Sequence, residues 1–122
     1  MRIAPWLGLV IIGMTGVTQG AQAQTRRFNG TWSVEVVTDR GSCDRAYRYS
    51  IIVDNGRVRY GGPEAFDVTG QVQPNGAVRG SIARGQDRAN VTGRLSGTAG
   101  TGTWTTSGSR SCGGTWNAEK RG

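Results

Sequence analysis

Residues 90–120 read NVTGRLSGTAGTGTWTTSGSRSCGGTWNAEK. Two copies of one triplet stand in this stretch, Gly102-Thr103-Trp104 and Gly114-Thr115-Trp116, and a third lies far upstream at Gly30-Thr31-Trp32. In an extended strand, residues two apart share a face. The Gly and the Trp of each triplet therefore point one way and the Thr the other. An indole and a glycine turned to the core, with a β-branched hydroxyl turned to water, is the alternation of a half-buried strand.

The same two-residue period extends outward from this stretch across residues 28–120, with no sustained helical periodicity. Glycine-rich turns interrupt it about every 8 to 12 residues, the spacing of a small sandwich or barrel. The pattern predicts strands at 28–38, 46–54, 57–61, 66–73, 77–83, 88–96, 101–107 and 113–120. Eight short strands in series predict an all-β fold, a small antiparallel up-and-down barrel.

Cross-strand partners must face the same side, so hairpin registers test the assignment. Asn55-Gly56 is a favoured two-residue turn, and it sets Val53 against Val58 and Ile51 against Tyr60. A three-residue loop at Pro74-Asn75-Gly76 sets Val72 against Val78, Gly70 against Gly80 and Val68 against Ile82. Four-residue loops at 84–87 and 97–100 set Ile82 against Ala89, Leu95 against Gly102 and Gly93 against Trp104. On this reading Trp32, Trp104 and Trp116 are core residues, and inward glycines leave room for the indoles in a narrow barrel. The inward set, from Phe28 through Trp116, is about enough to fill the interior, so a solid core is expected.

The two cysteines, Cys43 and Cys112, fall in the loops after the first and seventh strands. In a closed meander those loops lie at one end, and strands 1 and 8 are neighbours. One disulfide between them is expected.

The first residues, MRIAPWLGLVIIGMTGVTQGAQAQ, have a basic start at Arg2, an apolar run from Trp6 to Met14 and a small-x-small site at Ala21-Gln22-Ala23. That is the pattern of a signal peptide over 1–23, leaving 24–122 as a single barrel domain in the periplasm or outside the cell. The apolar run is shorter than the roughly 18 residues of a membrane span, so no transmembrane segment is expected in the mature chain. Removing the leader leaves fourteen of the fifteen basic residues against eight acidic ones.

There is no histidine, and both methionines lie in the leader. Without imidazole there is no Ser-His-Asp triad, no ordinary zinc site and no histidine-ligated haem; no cofactor or metal is expected. Glu35, Asp67 and Glu119 have outward parity and Asp54 and Asp87 are read as turn residues, so no carboxylate sits in an evident cleft and the chain is not read as an enzyme. Arg48, Arg57, Arg59 and Arg79 share outward parity and are candidates for an anionic surface or polysaccharide, with Asp67 on strand 4 between Arg79 and the rest. The basic charge comes without exposed aromatics, so there is no strong nucleic-acid signal.

The opening Phe28-Asn29-Gly30-Thr31-Trp32 followed by seven more strands resembles the calycin-like barrels: lipocalins, avidins and the small bacterial metalloprotease-inhibitor barrels. The resemblance implies a basic residue near the end of the last strand packed over the first-strand indole. Lys120 or Arg121 over Trp32 would be that cation–π partner, worth about 0.5 to 2 kcal/mol. It also implies, for the inhibitor barrels, an N-terminal segment that enters a protease cleft, here Gln24-Thr25-Arg26-Arg27. The whole stretch from Phe28 to Arg121, with Cys43-Asp44-Arg45-Ala46-Tyr47-Arg48-Tyr49 and Cys112-Gly113-Gly114-Thr115-Trp116, is similar to a group of short exported bacterial proteins of unassigned function. Compared with lipocalins, the strands are short and the long C-terminal helix is missing, which argues against a deep ligand cup. The expectation is an exported, non-enzymatic binding or interaction module, with a protease inhibitor or a binder of anionic surfaces as alternatives.

Overall fold

The computed structural model describes residues 26–63, 66–107 and 111–122. The leader over 1–23 lies outside the described residues. Eight strands follow in order: β1 (Gly30–Arg40), β2 (Ala46–Asp54), β3 (Arg57–Tyr60), β4 (Asp67–Val72), β5 (Ala77–Arg84), β6 (Asp87–Ser96), β7 (Ala99–Ser107) and β8 (Gly113–Lys120). Each pairs antiparallel with the next, and β1 pairs with β8. The sheet is a closed up-and-down barrel. Closure leaves no sheet edge to template pairing with another chain.

Turn chemistry sets most registers. Asn55 and Gly56 both have positive φ (50° and 84°), as a type I′ hairpin requires, and Val53 meets Val58 as expected. The loop over 74–76 sets Val72 against Val78 and Gly70 against Gly80. The β6–β7 turn departs from expectation. Gly97, at φ 61°, opens a two-residue loop in place of a four-residue one, the glycine-first pattern of a II′ hairpin. Ser96 then pairs with Ala99, Leu95 with Gly100 and Gly93 with Gly102. The slip is two residues, so every side chain keeps its face while changing its neighbour.

The β7–β8 register explains the repeated triplet. Across the β7–β8 ladder the two motifs run antiparallel, with Gly102 opposite Trp116, Thr103 opposite Thr115 and Trp104 opposite Gly114. Each indole thus crosses the glycine of the other triplet. A Cβ at Gly102 would collide with the Thr92 carbonyl oxygen, and one at Gly114 with the Val37 carbonyl oxygen. Those same two oxygens accept the indole N–H bonds, Trp116 Nε1 to Thr92 and Trp104 Nε1 to Val37, both at 3.0 Å. The absent side chains let a neighbouring strand's carbonyl lean inward, where it satisfies a buried donor that would otherwise cost about 1–3 kcal/mol.

The end of the barrel that carries the termini is filled. Trp32 and Phe28 are each 1% exposed, and the Trp32 indole donates to the Phe28 carbonyl at 2.9 Å. A turn over 26–29 lays Phe28 across this end. Asn29 Oδ1 accepts from the Asn55 backbone N–H at 2.7 Å, and the Arg27 guanidinium donates to the Pro74 carbonyl at 2.9 Å. Leu95, Val53, Val72 and Ala118 complete this buried layer.

Candidate functional site

The opposite end is not filled. The expectation of a solid interior is corrected by a cavity of about 660 Å³ that opens between the disulfide and the β5–β6 turn. Its cause lies in unequal halves of the wall. Strands β7, β8, β1 and β2 turn tryptophans and tyrosines inward, while β4 and β5 turn in Val68, Gly70, Val72, Val78, Gly80 and Ile82. Two pairs of glycines face each other inside the barrel, Gly70 with Gly80 and Gly93 with Gly102. The Trp116 ring lies against the second pair. No ring is among the nearest neighbours of the first pair, which lines the cavity as bare backbone.

Trp32 and Trp116 form the floor and Val36, Val91 and Trp104 part of the wall. One side of the mouth is aromatic. Tyr47 stacks on Tyr49 with ring centroids 5.9 Å apart, and Phe66 meets Tyr49 at 5.3 Å and Tyr60 at 5.4 Å, both edge to face. This cluster covers the weakest seam of the barrel, where β3 is four residues long and meets β4 through two residue pairs. The Tyr47 hydroxyl donates to Asp44 Oδ2 at 2.9 Å. Arg84, Gln86, Asp87 and Arg88 of the β5–β6 hairpin are part of the lining at the mouth. Asp54 and Asp87, expected in turns, instead end β2 and begin β6.

Cys43 and Cys112 are joined as expected, with Cα atoms 6.1 Å apart. Cys112 is buried and Cys43 lines the cavity, so the bridge forms part of the rim. Trp32, Trp104 and Trp116 all lie in the core. Thr31, Thr103 and Thr115 are exposed.

Lys120 and Arg121 take other partners. Lys120 sits across from Trp32 in the β1–β8 ladder, and its Nζ is 3.5 Å from the Arg27 carbonyl; Arg121 pairs with Glu119 at 3.2 Å. Among the described residues the cation–π contacts are Arg27 over Phe28, at 4.9 Å, and Arg84 over Phe66, at 5.4 Å. The N-terminal turn places Phe28, with Arg27 over it, at the terminal end, while the Trp32 ring lies buried inside.

Of the segment Gln24–Arg27, the first two residues lie outside the described ones. Arg26 and Arg27 are tied down: the Asn29 N–H donates to the Arg26 carbonyl at 3.0 Å, and Arg27 binds Pro74.

The four surface arginines do not converge. Arg48 pairs with Glu35 at 3.3 Å and also donates to Ser33. Arg57 and Arg79 flank Gln71 in one cross-strand row, while Asp67 lies farther along, opposite Ala83. Arg59 is opposite Ile52. Because both partners of the Arg48–Glu35 pair are well exposed, Arg48→Ala is expected to change stability by less than about 1 kcal/mol in urea unfolding. A larger loss would show that this pair stabilises the β1–β2 ladder beyond a surface contact.

Among the described residues no group of three His, Cys, Asp or Glu is placed to hold a metal ion. The mouth itself was only partly legible in the sequence. Arg84 shares the inward parity of Val78, Gly80 and Ile82, and that alternation is the signal that marks it. No family model matches the chain, and no curated protein or solved structure is significantly similar to it.

Proposed function

We propose that the protein is an exported, non-enzymatic barrel that carries or captures a small apolar molecule in its cup, in the periplasm or outside the cell. The cavity carries this reading: about 660 Å³ falls within the roughly 300–1,000 Å³ of small-molecule sites, which are mostly apolar with a few polar groups at one side. A leader-like N-terminus and a disulfide support export. Among the described residues no helix is long and apolar enough to cross a membrane. The outward row of Arg57, Gln71, Arg79, Thr92, Thr103 and Thr115 lacks the apolar band that a barrel facing lipid needs.

A neutral naphthylamine fluorophore tests the reading. It is expected to bind the mature protein saturably, with a blue shift and enhanced emission. Val68→Trp, which places an indole in the cup beside the bare Gly70–Gly80 wall, is expected to weaken binding at least about tenfold, or ~1.4 kcal/mol, with an unchanged circular dichroism spectrum. Absence of saturable binding to the mature protein, or equal binding by a folded V68W variant, would refute it.

A further inference from the structure

We propose that the cup is built for an amphiphile with an anionic head, its chain inside and its carboxylate or phosphate group held at the mouth by Arg84. The inference rests on the binding reading above and adds the chemical class of the ligand.

The depth of the cup is apolar, so polarity at the mouth decides what remains outside when a chain is buried. Arg84 is the last inward-facing residue of β5, and its guanidinium lies over the Phe66 ring, 5.4 Å from the centroid. Phe66 is itself held edge-on by Tyr49 and Tyr60. A planar cation resting on a fixed ring keeps its N–H edges free for a planar or tetrahedral anion, the bidentate geometry in which arginine excels over lysine. Arg88 stands opposite Ala83 and Ser107 at the same rim, on the outward parity.

Among the described residues no carboxylate forms an ion pair with either guanidinium; the ion pairs are Arg48–Glu35 and Arg121–Glu119. Asp87 is the carboxylate nearest in register, opposite Arg84 across the turn, and the two form no ion pair. Asp44, also at this end, accepts from the Tyr47 hydroxyl. Arg84 and Asp87 are the charged residues of inward parity at this rim, Arg88 has the outward parity of Ala83, and the chain as a whole has a formal charge of +7. A net positive charge draws anions towards the molecule as a whole. A cationic head would be set against the Arg84 guanidinium.

The experiment is displacement of the bound fluorophore, at concentrations below micelle formation, by decanoate, decyl phosphate, decanol and decyltrimethylammonium. Acetate and inorganic phosphate are run as heads without chains. At least one of the two anions is expected to bind about tenfold more tightly than decanol, the scale of one hydrogen-bonded charge contact, and the better of the two identifies the head. The preference should shrink with added salt. In Arg84→Gln the ratio of anion to decanol should fall towards one.

Equal binding of decanol and both anions overturns the proposal and leaves the apolar cup standing. So does tighter binding of the ammonium amphiphile, displacement by acetate or phosphate alone, or an anion preference that survives both Arg84→Gln and Arg84→Gln/Arg88→Gln. If none of the four chains displaces the fluorophore, the cup reading itself falls.

Discussion

Gly114→Ala is expected to destabilise the barrel by about 3 kcal/mol, and Gly102→Ala by a similar amount. Neither glycine has a positive φ, so the cost does not come from backbone preference. It comes from space that the fold has already used. A methyl at Gly114 meets the Val37 carbonyl oxygen, the Asp39 nitrogen at 2.9 Å and the Trp104 indole nitrogen at 3.0 Å. Two of these are backbone, so β1 must shift, and the shift breaks the hydrogen bond from Trp104 to Val37. Overpacking of a tight site costs about 1–3 kcal/mol, and an orphaned buried donor adds about 1–3. Trp104→Phe alone should cost about 1–2 kcal/mol by removing that donor. The double substitution should fall short of the sum of the singles by about 1 kcal/mol, because one hydrogen bond cannot be lost twice. Urea unfolding of the four proteins measures the cycle. A Gly114→Ala cost below 1 kcal/mol would mean that the crossed triplets are not what packs this side of the barrel.

Removing the disulfide by Cys43→Ser/Cys112→Ser is expected to lower stability by roughly 4 kcal/mol. The bond spans 69 residues, and a cross-link over so long a loop removes much of the freedom of the unfolded chain. Its position adds a structural reason. The β1–β8 seam brings together residues from the two ends of the domain, Trp32 with Lys120 and Val36 with Trp116. Closing that seam is the most non-local step in folding, and loop closure must precede the contacts that reward it. The bridge holds the same two ends together at the mouth. Cys112 is further fixed by Thr106, whose hydroxyl accepts from its N–H at 2.8 Å. A small domain with a total stability of about 5–15 kcal/mol would keep only part of it without the bond. The comparison is urea unfolding of the native protein with and without reductant, beside the double serine variant. Equal midpoints in all three would show that the non-covalent seam closes the barrel unaided.

Much of this was legible before any coordinates. Period-two alternation located every strand to within two residues, because each strand faces water on one side and core on the other. Asn55-Gly56 and the loop over 74–76 announced their registers, since few residues tolerate the backbone those turns demand. The β6–β7 register was not legible in the same way. A slip of two leaves parity intact, so apolar still meets apolar, and only the glycine-first II′ turn at Gly97 distinguishes Gly100 from Gly102 as the partner of Leu95.

The candidate site shows the limit more sharply. Most of the residues lining the cup carry the inward parity that marks them, yet a solid core was the expectation. Whether eight inward faces fill a barrel is a small difference between large volumes, and no local pattern encodes it. It depends on which ring reaches which glycine pair, and Trp116 lies against Gly93–Gly102 while no ring is among the nearest neighbours of Gly70–Gly80. The same holds for the cation–π contacts: which cation reaches which ring depends on where the turn over 26–29 comes to rest.

The sequence by itself therefore determined the strands, their faces, the direction of the chain through the barrel and the pairing of its cysteines, because each follows from local alternation, turn geometry and the parity of the strand count. Only the tertiary structure decided that one end is plugged by Phe28 and the other left open, that the two triplets cross, and that Arg84 rests on Phe66 at the mouth. Those are distances between residues far apart in the chain, and they are set by how side chains of unequal size share one enclosed space.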